Sequence, residues 1–286
     1  MNYRTLLFIP GNNPGMLQSS DILGSDGIII DLEDAVALSE KDAARILVRE
    51  YLLTIETKTD VFIRINPLDS PYFYNDLEAI RDLEITGIVL PKAGIESMTK
   101  LEEYLNENDL NLDVIPLVET AIGLETAFNI VQISDRIIGL FLGAEDLTLD
   151  LGAKRTKESK EIDYARSRII AASKAFGIQA FDTPFTDTDD IEGLKIDTKK
   201  AKDLGMTGKT VISPRHVDII NKMFSPTEAE VEYALRVVEG VKAANEKGLG
   251  AFSLDGKMVD APIIKRALNL LRISGDYKEE YDELLK

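Results

Sequence analysis

Residues 27–36 read GIIIDLEDAV, and this short stretch decides how the rest of the chain is interpreted. Three consecutive isoleucines are followed at once by three acids, Asp31, Glu33 and Asp34. A run that is apolar at every position, without alternation, is typical of a strand that is covered on both faces, as in a parallel sheet. We therefore predict a buried strand that ends where its carboxylates reach an open edge.

Seven similar runs recur at fairly even spacing, and stretches with helical periodicity lie between them. The runs are 5–11, 60–66, 87–93, 112–120, 138–146, 178–185 and 209–215. The helical stretches are 39–56, 94–108, 122–134, 161–177 and 190–205. Eight strands that alternate with helices predict a (β/α)8 TIM barrel. The alternative is an open doubly wound sheet, which is disfavoured because no glycine-rich dinucleotide fingerprint follows the first strand.

Local signals mark several helix ends in this pattern. Ser39 with Asp42 is an expected capping pair, and Gly177 and Gly205 stand where helices should end. The pattern changes after the eighth unit, so we predict a barrel over residues 1–224 and a C-terminal extension over 225–286.

The extension contains a long helix over 225–248, a hairpin over 249–262 that turns at Asp255-Gly256, and a final helix that precedes an acidic tail. We expect it to be too small for a core of its own and to pack on the barrel or on a neighbouring subunit.

Charge and composition exclude several classes of function. The formal net charge is −17, which argues against a nucleic acid or an anionic membrane as partner, because both need a basic face. The chain has no cysteine, so disulfides, zinc–thiolate sites and thiol nucleophiles are excluded. The first apolar run stops at Pro10, which is too short for a signal peptide, and no stretch approaches the ~20 apolar residues of a membrane span. We expect a cytoplasmic protein.

Function in a (β/α)8 barrel collects at the C-terminal ends of the strands. Glu119 and Asp146 follow the fifth and sixth predicted strands, close to the acids that end the second strand. Carboxylates so close together repel one another unless a cation neutralises them, and oxygen ligands favour Mg²⁺, with Mn²⁺ as the alternative. We predict that Glu119 and Asp146 are direct ligands, and that the second-strand acids hold the metal's waters.

Arg64 ends the third predicted strand as a lone cation among these acids. Its planar guanidinium suits bidentate capture of a substrate carboxylate or of a developing oxyanion. The alternative is a structural ion pair with Asp31 or Glu33. In that case Asp31 and Asp34 would cap the following loop or pair with Arg64.

Two other residues draw attention because their chemistry is uncommon in this sequence. Lys92 follows the fourth strand, where it would contact substrate, form a Schiff base or, as we favour, make a salt bridge within the acidic rim. His216 is the only histidine, and it is interpreted as structural because no triad or metal partner accompanies it. The Gly-Lys pairs at 208–209 and 256–257 are not Walker loops, because the spacing of the preceding glycine is wrong.

The residues now support a family assignment. The sequence resembles the citrate lyase β-subunit group, within the wider family of citryl-, malyl- and citramalyl-CoA lyases of HpcH/HpaI aldolase type. The resemblance rests on RTLLFIPGN, DGIIIDLEDAVALSEKDAAR, IRINPLDS, LPKA, PLVETAIGL, GAEDL, GIQAFDTPFTD, ISPRHVDIIN, SPTEAEV and LDGKMVDAP. These segments occur in order over nearly the full length. The combination of DLEDAV, GAED and GKMVD is specific, whereas any one of them alone is not.

The resemblance implies a barrel with a C-terminal lid that uses Mg²⁺ to cleave a 3-hydroxyacyl thioester, citryl-CoA or a citryl carrier protein, into oxaloacetate and an acetyl thioester. By the same resemblance, Glu119 and Asp146 hold the metal and Arg64 binds the keto acid, with Lys92 counted among the substrate-binding residues. Asp260 of GKMVD is similar to a lid acid that moves a proton at the thioester carbon, often across a subunit interface. Its alternative role is a helix N-cap. Glu33 and Asp34 stay open as acceptors of the hydroxyl proton.

The resemblance also implies partners: citrate lyase α and acyl-carrier subunits, and further copies of this chain in a homotrimer or hexamer. Two other functions stay open. One is a stand-alone malyl-CoA or citramalyl-CoA lyase, and the other is a non-catalytic subunit on which a carrier protein docks.

Overall fold

Eight parallel strands close into a barrel in the computed structural model, which describes residues 2–245 and 251–285. The strands are β1 (Thr5–Pro10), β2 (Gly27–Asp31), β3 (Asp60–Arg64), β4 (Gly87–Leu90), β5 (Asp113–Val118), β6 (Gly139–Leu142), β7 (Gln179–Asp182) and β8 (Gly208–Val211). Each strand pairs with the next one along the chain, and β8 pairs with β1. The predicted TIM barrel is confirmed, because each strand overlaps one of the apolar runs.

The helices of the barrel unit follow the strands. They are α1 (Pro14–Gln18), α2 (Lys41–Thr54), α3 (Phe73–Ile80), α4 (Ile95–Glu107), α5 (Ala121–Glu125), α6 (Ala127–Val131), α7 (Ala144–Asp150), α8 (Asp163–Ala175), α9 (Ile191–Leu204) and α10 (Pro214–Phe224). Short 3-10 turns cover Ser20–Ile22, Leu38–Glu40 and Lys160–Ile162. Gly205 ends α9 in the left-handed conformation, with φ of 117°, as the sequence predicted.

Two local predictions are wrong. Ser39 does not cap α2: it lies within the 3-10 turn Leu38–Glu40, and α2 begins without a side-chain cap. The helix predicted over 122–134 is two short helices that meet at Thr126, whose hydroxyl donates a hydrogen bond to the carbonyl of Ile122 at 2.7 Å. The backbone N–H of Thr126 also donates to the carbonyl of Ile122, at 3.0 Å, so the two helices follow one another without a loop between them.

Register places the functional residues side by side. Asp31 of β2 is aligned with Arg64 of β3, and Pro10 of β1 is aligned with Asp31. Below them, inward-pointing side chains fill the barrel with a dry cluster: Tyr3, Leu6, Ile29, Phe62, Val89, Ile115, Leu117, Phe141 and Phe181. The charged residues at the strand ends therefore stand on a packed apolar floor, as in other barrels of this type.

The chain divides into two compact units, Met1–Asn221 and Lys222–Lys286. The C-terminal unit contains α11 (Glu228–Asn245), β9 (Phe252–Leu254), β10 (Lys257–Val259), α12 (Ala261–Ser274) and a 3-10 turn over Glu279–Leu285. The hairpin turns at Asp255 and Gly256, both with positive φ, as predicted. The last residues of the predicted helix, 246–248, and the first two of the predicted hairpin lie outside the described residues.

The expectation that the extension holds no core of its own is wrong. Two helix faces and the turn that follows them bury a cluster of apolar side chains within the C-terminal unit: Ala234, Val237, Val238, Val241, Val259, Ile264, Ala267, Leu268, Leu271 and Tyr281. The error came from counting length alone, whereas α11 and α12 pack against each other along their apolar sides. Across the described ranges, no helix has the length and apolarity that crossing a bilayer would require.

Candidate active site

The C-terminal ends of the barrel strands surround a cavity of about 490 Å³. Apolar side chains make much of its wall, including Phe8, Met16, Phe141 and Ile212. Charged residues gather at one side, and we call the following set the mouth cluster: Asp31, Glu33, Asp34, Arg64, Glu119 and Asp146. All of them except Glu33 line the cavity. Four predicted site residues, Asp34, Arg64, Glu119 and Asp146, therefore meet at one place.

Arg64 is held by Asp31. It donates from Nε to Oδ1 at 2.7 Å and from Nη2 to Oδ2 at 2.6 Å. Its remaining nitrogen, Nη1, lies 3.0 Å from Glu33 Oε2 and 3.7 Å from Asp34 Oδ2. The ion pair with Asp31, an alternative from the sequence, is therefore formed. Asp31 therefore accepts from two of the three guanidinium nitrogens of Arg64, Nε and Nη2, and the third, Nη1, faces Glu33 and Asp34.

Asp31 also organises the turn that follows β2. Its two carboxylate oxygens accept hydrogen bonds from the backbone N–H groups of Glu33, at 2.9 Å, and Ala35, at 3.0 Å. Burial alone would raise the pKa of Asp31, but the charge and hydrogen bonds of Arg64, with these two N–H groups, lower it below its ordinary value. Asp31 is thus an ionised anchor for both the guanidinium and the turn.

Glu33 and Asp34 are neighbours with different surroundings. Glu33 is buried, and its Oε2 makes no aligned hydrogen bond despite its closeness to Arg64. Burial raises the pKa of Glu33 to about 8, with Asp34, Glu119 and Asp31 adding to the rise and Arg64 opposing it. The Asp34 side chain is 68% exposed and reaches the cavity. Asp34 can therefore contact a ligand directly, whereas Glu33 stands behind Arg64.

Glu119 is fixed from two sides. The backbone N–H of Lys92 donates to Glu119 Oε1 at 2.6 Å. Gly143 stands so close that a β-carbon there would lie 2.8 Å from Glu119 Oε2. Burial is the main cause that raises the pKa of Glu119 to about 7; Asp146 and Asp34 act in the same direction, and the Lys92 N–H and Arg64 act against it. A cation bound beside this buried carboxylate would stabilise its ionised form.

Asp146 faces Glu119 from the first turn of α7. It is half-buried and lines the same cavity. The start of α7 is tied to the end of β7, because the Ala144 N–H donates to Thr183 Oγ1 at 3.2 Å. Within the described part of the chain, no three His, Cys, Asp or Glu side chains are grouped to hold a metal ion by themselves. Two carboxylates and open space suit an ion that keeps water and substrate oxygens as its other ligands.

The Lys92 side chain lies elsewhere. It is exposed and lines a separate cavity of about 680 Å³ with residues of the β3–α3 loop and α4. Among the described residues it forms no salt bridge with the mouth cluster, so the favoured interpretation of Lys92 is wrong. What Lys92 brings to the site is its backbone N–H, in a left-handed conformation with φ of 46°. Side-chain chemistry in the sequence gave no signal for this role.

Asp260 belongs to the C-terminal unit and precedes α12. Its carboxylate accepts a hydrogen bond from the Ile263 N–H at 3.4 Å, so the N-cap, its alternative role, is formed. A part in proton transfer stays a prediction. His216 is buried beside Phe185, and its Nε2 lies 3.2 Å from the carbonyl of Thr188, away from the mouth cluster.

Buried lysines were missed by the sequence analysis. Lys41 contacts the backbone beneath the mouth cluster. Lys209, half of a Gly-Lys pair, joins what we call the inner quartet, which lies between α8, β7, α9 and β8 and consists of Arg166, Asp182, Asp197 and Lys209. Lysine in an amphipathic helix or at a strand start ordinarily indicates exposure, so only spatial placement could reveal these roles.

The chain is similar to known proteins in sequence and in fold. The family model described as HpcH/HpaI aldolase/citrate lyase matches residues 4–214. "Citrate lyase subunit beta" of Leuconostoc mesenteroides subsp. cremoris is 39% identical over 280 residues, which are 95% of this chain and 93% of that protein. "Citramalyl-CoA lyase, mitochondrial" of Rattus norvegicus is 31% identical over 97% of this chain and 87% of its own length.

Two crystal structures from Mycobacterium tuberculosis are similar in fold and sequence. CitE in complex with magnesium, acetoacetate and coenzyme A has a TM-score of 0.81 and 31% identity, covering 96% of this chain and 98% of that one. A citrate lyase beta subunit complexed with oxaloacetate and magnesium has a TM-score of 0.69 and 33% identity, covering 79% of this chain and 98% of that one.

Proposed function

Because the chain belongs to the HpcH/HpaI aldolase/citrate lyase family, we propose that it is a Mg²⁺-dependent carbon–carbon lyase that cleaves a citryl thioester into oxaloacetate and an acetyl thioester. The observation that carries the proposal is the single cavity lined by Arg64, Glu119 and Asp146. A cation, two carboxylates and an apolar wall match a ligand with a keto acid at one end and an acyl thioester at the other.

Glu119 and Asp146 would hold the metal. The like charge of Asp146 adds to the burial that raises the pKa of Glu119, and the free space beside the two carboxylates fits a hard divalent cation. When bound, Mg²⁺ supplies positive charge next to the substrate oxygen that changes from hydroxyl to ketone. Relatives whose structures contain magnesium with oxaloacetate, or with acetoacetate and coenzyme A, support this choice of metal and of ligand class.

The residues of this chain divide the remaining work. Asp34 lines the cavity and accepts the proton from the substrate hydroxyl as the carbon–carbon bond breaks. The electron pair of that bond passes to the thioester as an enolate, and a proton then returns to its carbon. Arg64, locked by Asp31 and backed by Glu33, keeps Nη1 directed to the keto-acid carboxylate. In this proposal, Asp260 of a second copy delivers the proton to the enolate carbon.

The assignment is tested by measuring oxaloacetate release from citryl-CoA, with and without EDTA. We expect release that stops on chelation and resumes when Mg²⁺ is restored. Equal rates in both conditions would show that the metal role is wrong. An Asp260→Asn variant that turns over as fast as the wild type would contradict the role of that acid.

A second candidate substrate is citramalyl-CoA, because a citramalyl-CoA lyase aligns with 97% of this chain. Running citryl-, citramalyl- and malyl-CoA side by side decides among them by kcat/KM. We further propose that the acyl group is presented by CoA or by a carrier subunit beside an α subunit, that the protein assembles as a homotrimer or hexamer, and that it works in the cytoplasm. Size measurement by light scattering tests the assembly.

A further inference from the structure

The turn over residues 31–36 carries all three acids of the second strand end, so whatever holds this turn sets their positions. Inside the turn, Asp31 accepts the N–H groups of Glu33 and Ala35, and the Val36 N–H donates to the carbonyl of Glu33 at 3.0 Å. The Leu32 N–H donates to the carbonyl of Arg64 at 2.9 Å. These bonds fix the inner side of the turn. The carbonyls of Leu32 and Glu33 also accept hydrogen bonds from α2.

Lys41, the first residue of α2, meets both of those carbonyls. Its Nζ donates to Leu32 O at 2.7 Å and to Glu33 O at 2.6 Å, and the residue is only 5% exposed. A buried ammonium is retained at a considerable desolvation penalty, so its contacts must offset that penalty. The acids that face it are Asp31, Glu33 and Asp34 from the turn and Asp76 from α3.

We propose that Lys41 is a positioning residue for the lyase reaction, because its ammonium fixes the turn over 31–36 and so sets where Glu33 and Asp34 stand relative to Arg64. The inference rests on the proposed function. Lys41 is not among the residues that line the cavity, and it belongs to neither the predicted metal ligands nor the predicted proton carriers. It acts through the two carbonyls, and its charge is part of the field in which the turn's carboxylates ionise.

Removal of this ammonium should leave neither of the two carbonyls without a hydrogen-bond donor. Without Lys41, the carbonyl of Leu32 still accepts from Asn66 Nδ2 at 2.9 Å, and the carbonyl of Glu33 still accepts from the Val36 N–H. No buried acceptor is orphaned in Lys41→Met, whose side chain fills the same channel. We therefore expect a folded variant in which the turn is less strictly held.

Lys200 offers a matched control. Its Nζ also donates to two consecutive carbonyls, Glu158 O at 2.8 Å and Ser159 O at 3.3 Å, but these lie in the loop before α8. Lys200→Met removes the same chemical group and the same pair of carbonyl contacts, together with a partly exposed ion pair to Asp163 at 2.6 Å, at a place that bears no part of the mouth cluster.

The first readout is hydrogen exchange of the peptide that covers residues 32–36, which needs no substrate. We expect Lys41→Met to accelerate its exchange at least about tenfold, because local opening becomes easier, while Lys200→Met leaves it unchanged. Unchanged exchange in Lys41→Met would overturn the proposal.

The second readout is steady-state turnover, over a range of pH, of the thioester that the wild-type protein cleaves. We expect Lys41→Met to lower kcat about 10- to 100-fold with little change in thioester KM, since a displaced turn affects the reacting geometry. Loss of a positive charge beside the turn also makes its acids harder to ionise, so the rising limb of kcat moves to higher pH. Lys41→Arg, which keeps the charge, should keep the limb near the wild-type position and recover part of kcat.

Each outcome is decisive. A kcat loss in Lys41→Met no larger than that in Lys200→Met contradicts the positioning role. If Lys41→Met does not fold, Lys41→Arg is compared with Lys200→Arg, and equal kcat in that pair contradicts the role as well. Failure of the proposed function is recognised separately, because wild-type protein would then release no keto acid from any thioester in the panel while the exchange experiment still reports on the turn.

Discussion

The mouth cluster and the inner quartet are both built from buried charges, but their charges balance differently. In the quartet, Arg166 and Lys209 face Asp182 and Asp197, and every one of the four is 4% exposed or less. Five hydrogen bonds of 2.5–2.9 Å join them. In the mouth cluster, five acids share Arg64. A buried cluster with equal numbers of positive and negative charges favours a single structure. A cluster with an excess of one sign of charge indicates a site that binds a ligand of the opposite charge.

The pKa shifts express the same contrast. Burial alone would raise the pKa of Asp197, yet Lys209 and Arg166 lower it well below its ordinary value. In the mouth, burial is the main cause that raises the pKa of Glu33 to about 8 and of Glu119 to about 7; neighbouring acids add to the rise, and Arg64 offsets only part of it. Changes in the quartet should therefore alter stability, and changes in the mouth should alter activity.

The largest effect is expected from Glu119→Gln, which removes one of two predicted metal ligands without changing shape. We expect kcat/KM at a fixed, subsaturating Mg²⁺ concentration to fall at least about 1000-fold, because the metal contributes several kcal/mol to the transition state. Oxaloacetate release is the measurement, and Glu107→Gln, on the exposed side of α4, is the control. Loss of the thermal shift that Mg²⁺ plus oxaloacetate gives should accompany it; retention of both would remove Glu119 from the metal site.

The next largest effect should come from breaking the quartet. Arg166→Met leaves two buried carboxylates to share Lys209, and removing one partner of a buried pair costs about 3–5 kcal/mol. Urea unfolding gives the free energy, and Lys199→Met, which breaks the exposed pair with Asp203, should leave it unchanged. A stable Arg166→Met protein would show that the quartet contributes little to folding.

Arg64→Lys separates charge from geometry in the mouth cluster, because it keeps the positive charge and removes the planar guanidinium. An ammonium cannot hold Asp31 through two parallel hydrogen bonds and still direct a third donor at the substrate. We expect kcat/KM to fall about 100-fold, with the unfolding free energy little changed. Activity within a factor of three of wild type would mean that charge alone suffices there.

The smallest effect is expected in the pH dependence of the unfolding free energy, where the inner quartet and the mouth cluster should act in opposite directions. The lowered pKa of Asp197 adds stability above its unfolded pKa, and this is lost as the pH falls through the acid range. The raised pKa of Glu33 works the other way, since its protonated form favours folding below about 4.5 and that benefit is lost as the pH rises through about 8.

Replacing Glu33 tests this sign. In metal-free buffer at pH 9, we expect Glu33→Gln to unfold at higher urea than wild type, by about 1 kcal/mol, while at pH 4.5 the two coincide. Glu107→Gln supplies the comparison for a carboxyl in water. If Glu33→Gln is less stable than wild type at pH 9, the surroundings of Glu33 stabilise its charged form, which would contradict the raised pKa.

Much of the barrel was predictable because its signal is local. Runs such as GIIID and GLFL are apolar at every position, and their number and spacing indicate a closed parallel sheet. Helices that are short or irregular were not predicted: α1, α3 and α7 are five to eight residues long, and the stretch 122–134 is divided at Thr126. The core of the C-terminal unit escaped because it comes from the meeting of two helices.

The site was predictable as a set of acids but not as a network. Strand ends in a barrel converge, so Glu119, Asp146, Asp34 and Arg64 could be brought together from the sequence. That Asp31 takes both ends of the Arg64 fork follows from strand register. The parts of Lys92 and Lys41 follow from a backbone N–H and from two carbonyls, which no pattern of side-chain types reports.

Gly143 limits which positions can be changed when this enzyme is redesigned for another acyl group. The space that a methyl group would need at position 143 is already occupied by the side chain of Glu119, so the pocket cannot be narrowed from β6 without displacing the group on which the metal depends. Mutagenesis libraries should keep this glycine constant. Diversity belongs at apolar lining residues such as Met16 and Ile212, to which no part of the proposed reaction is assigned.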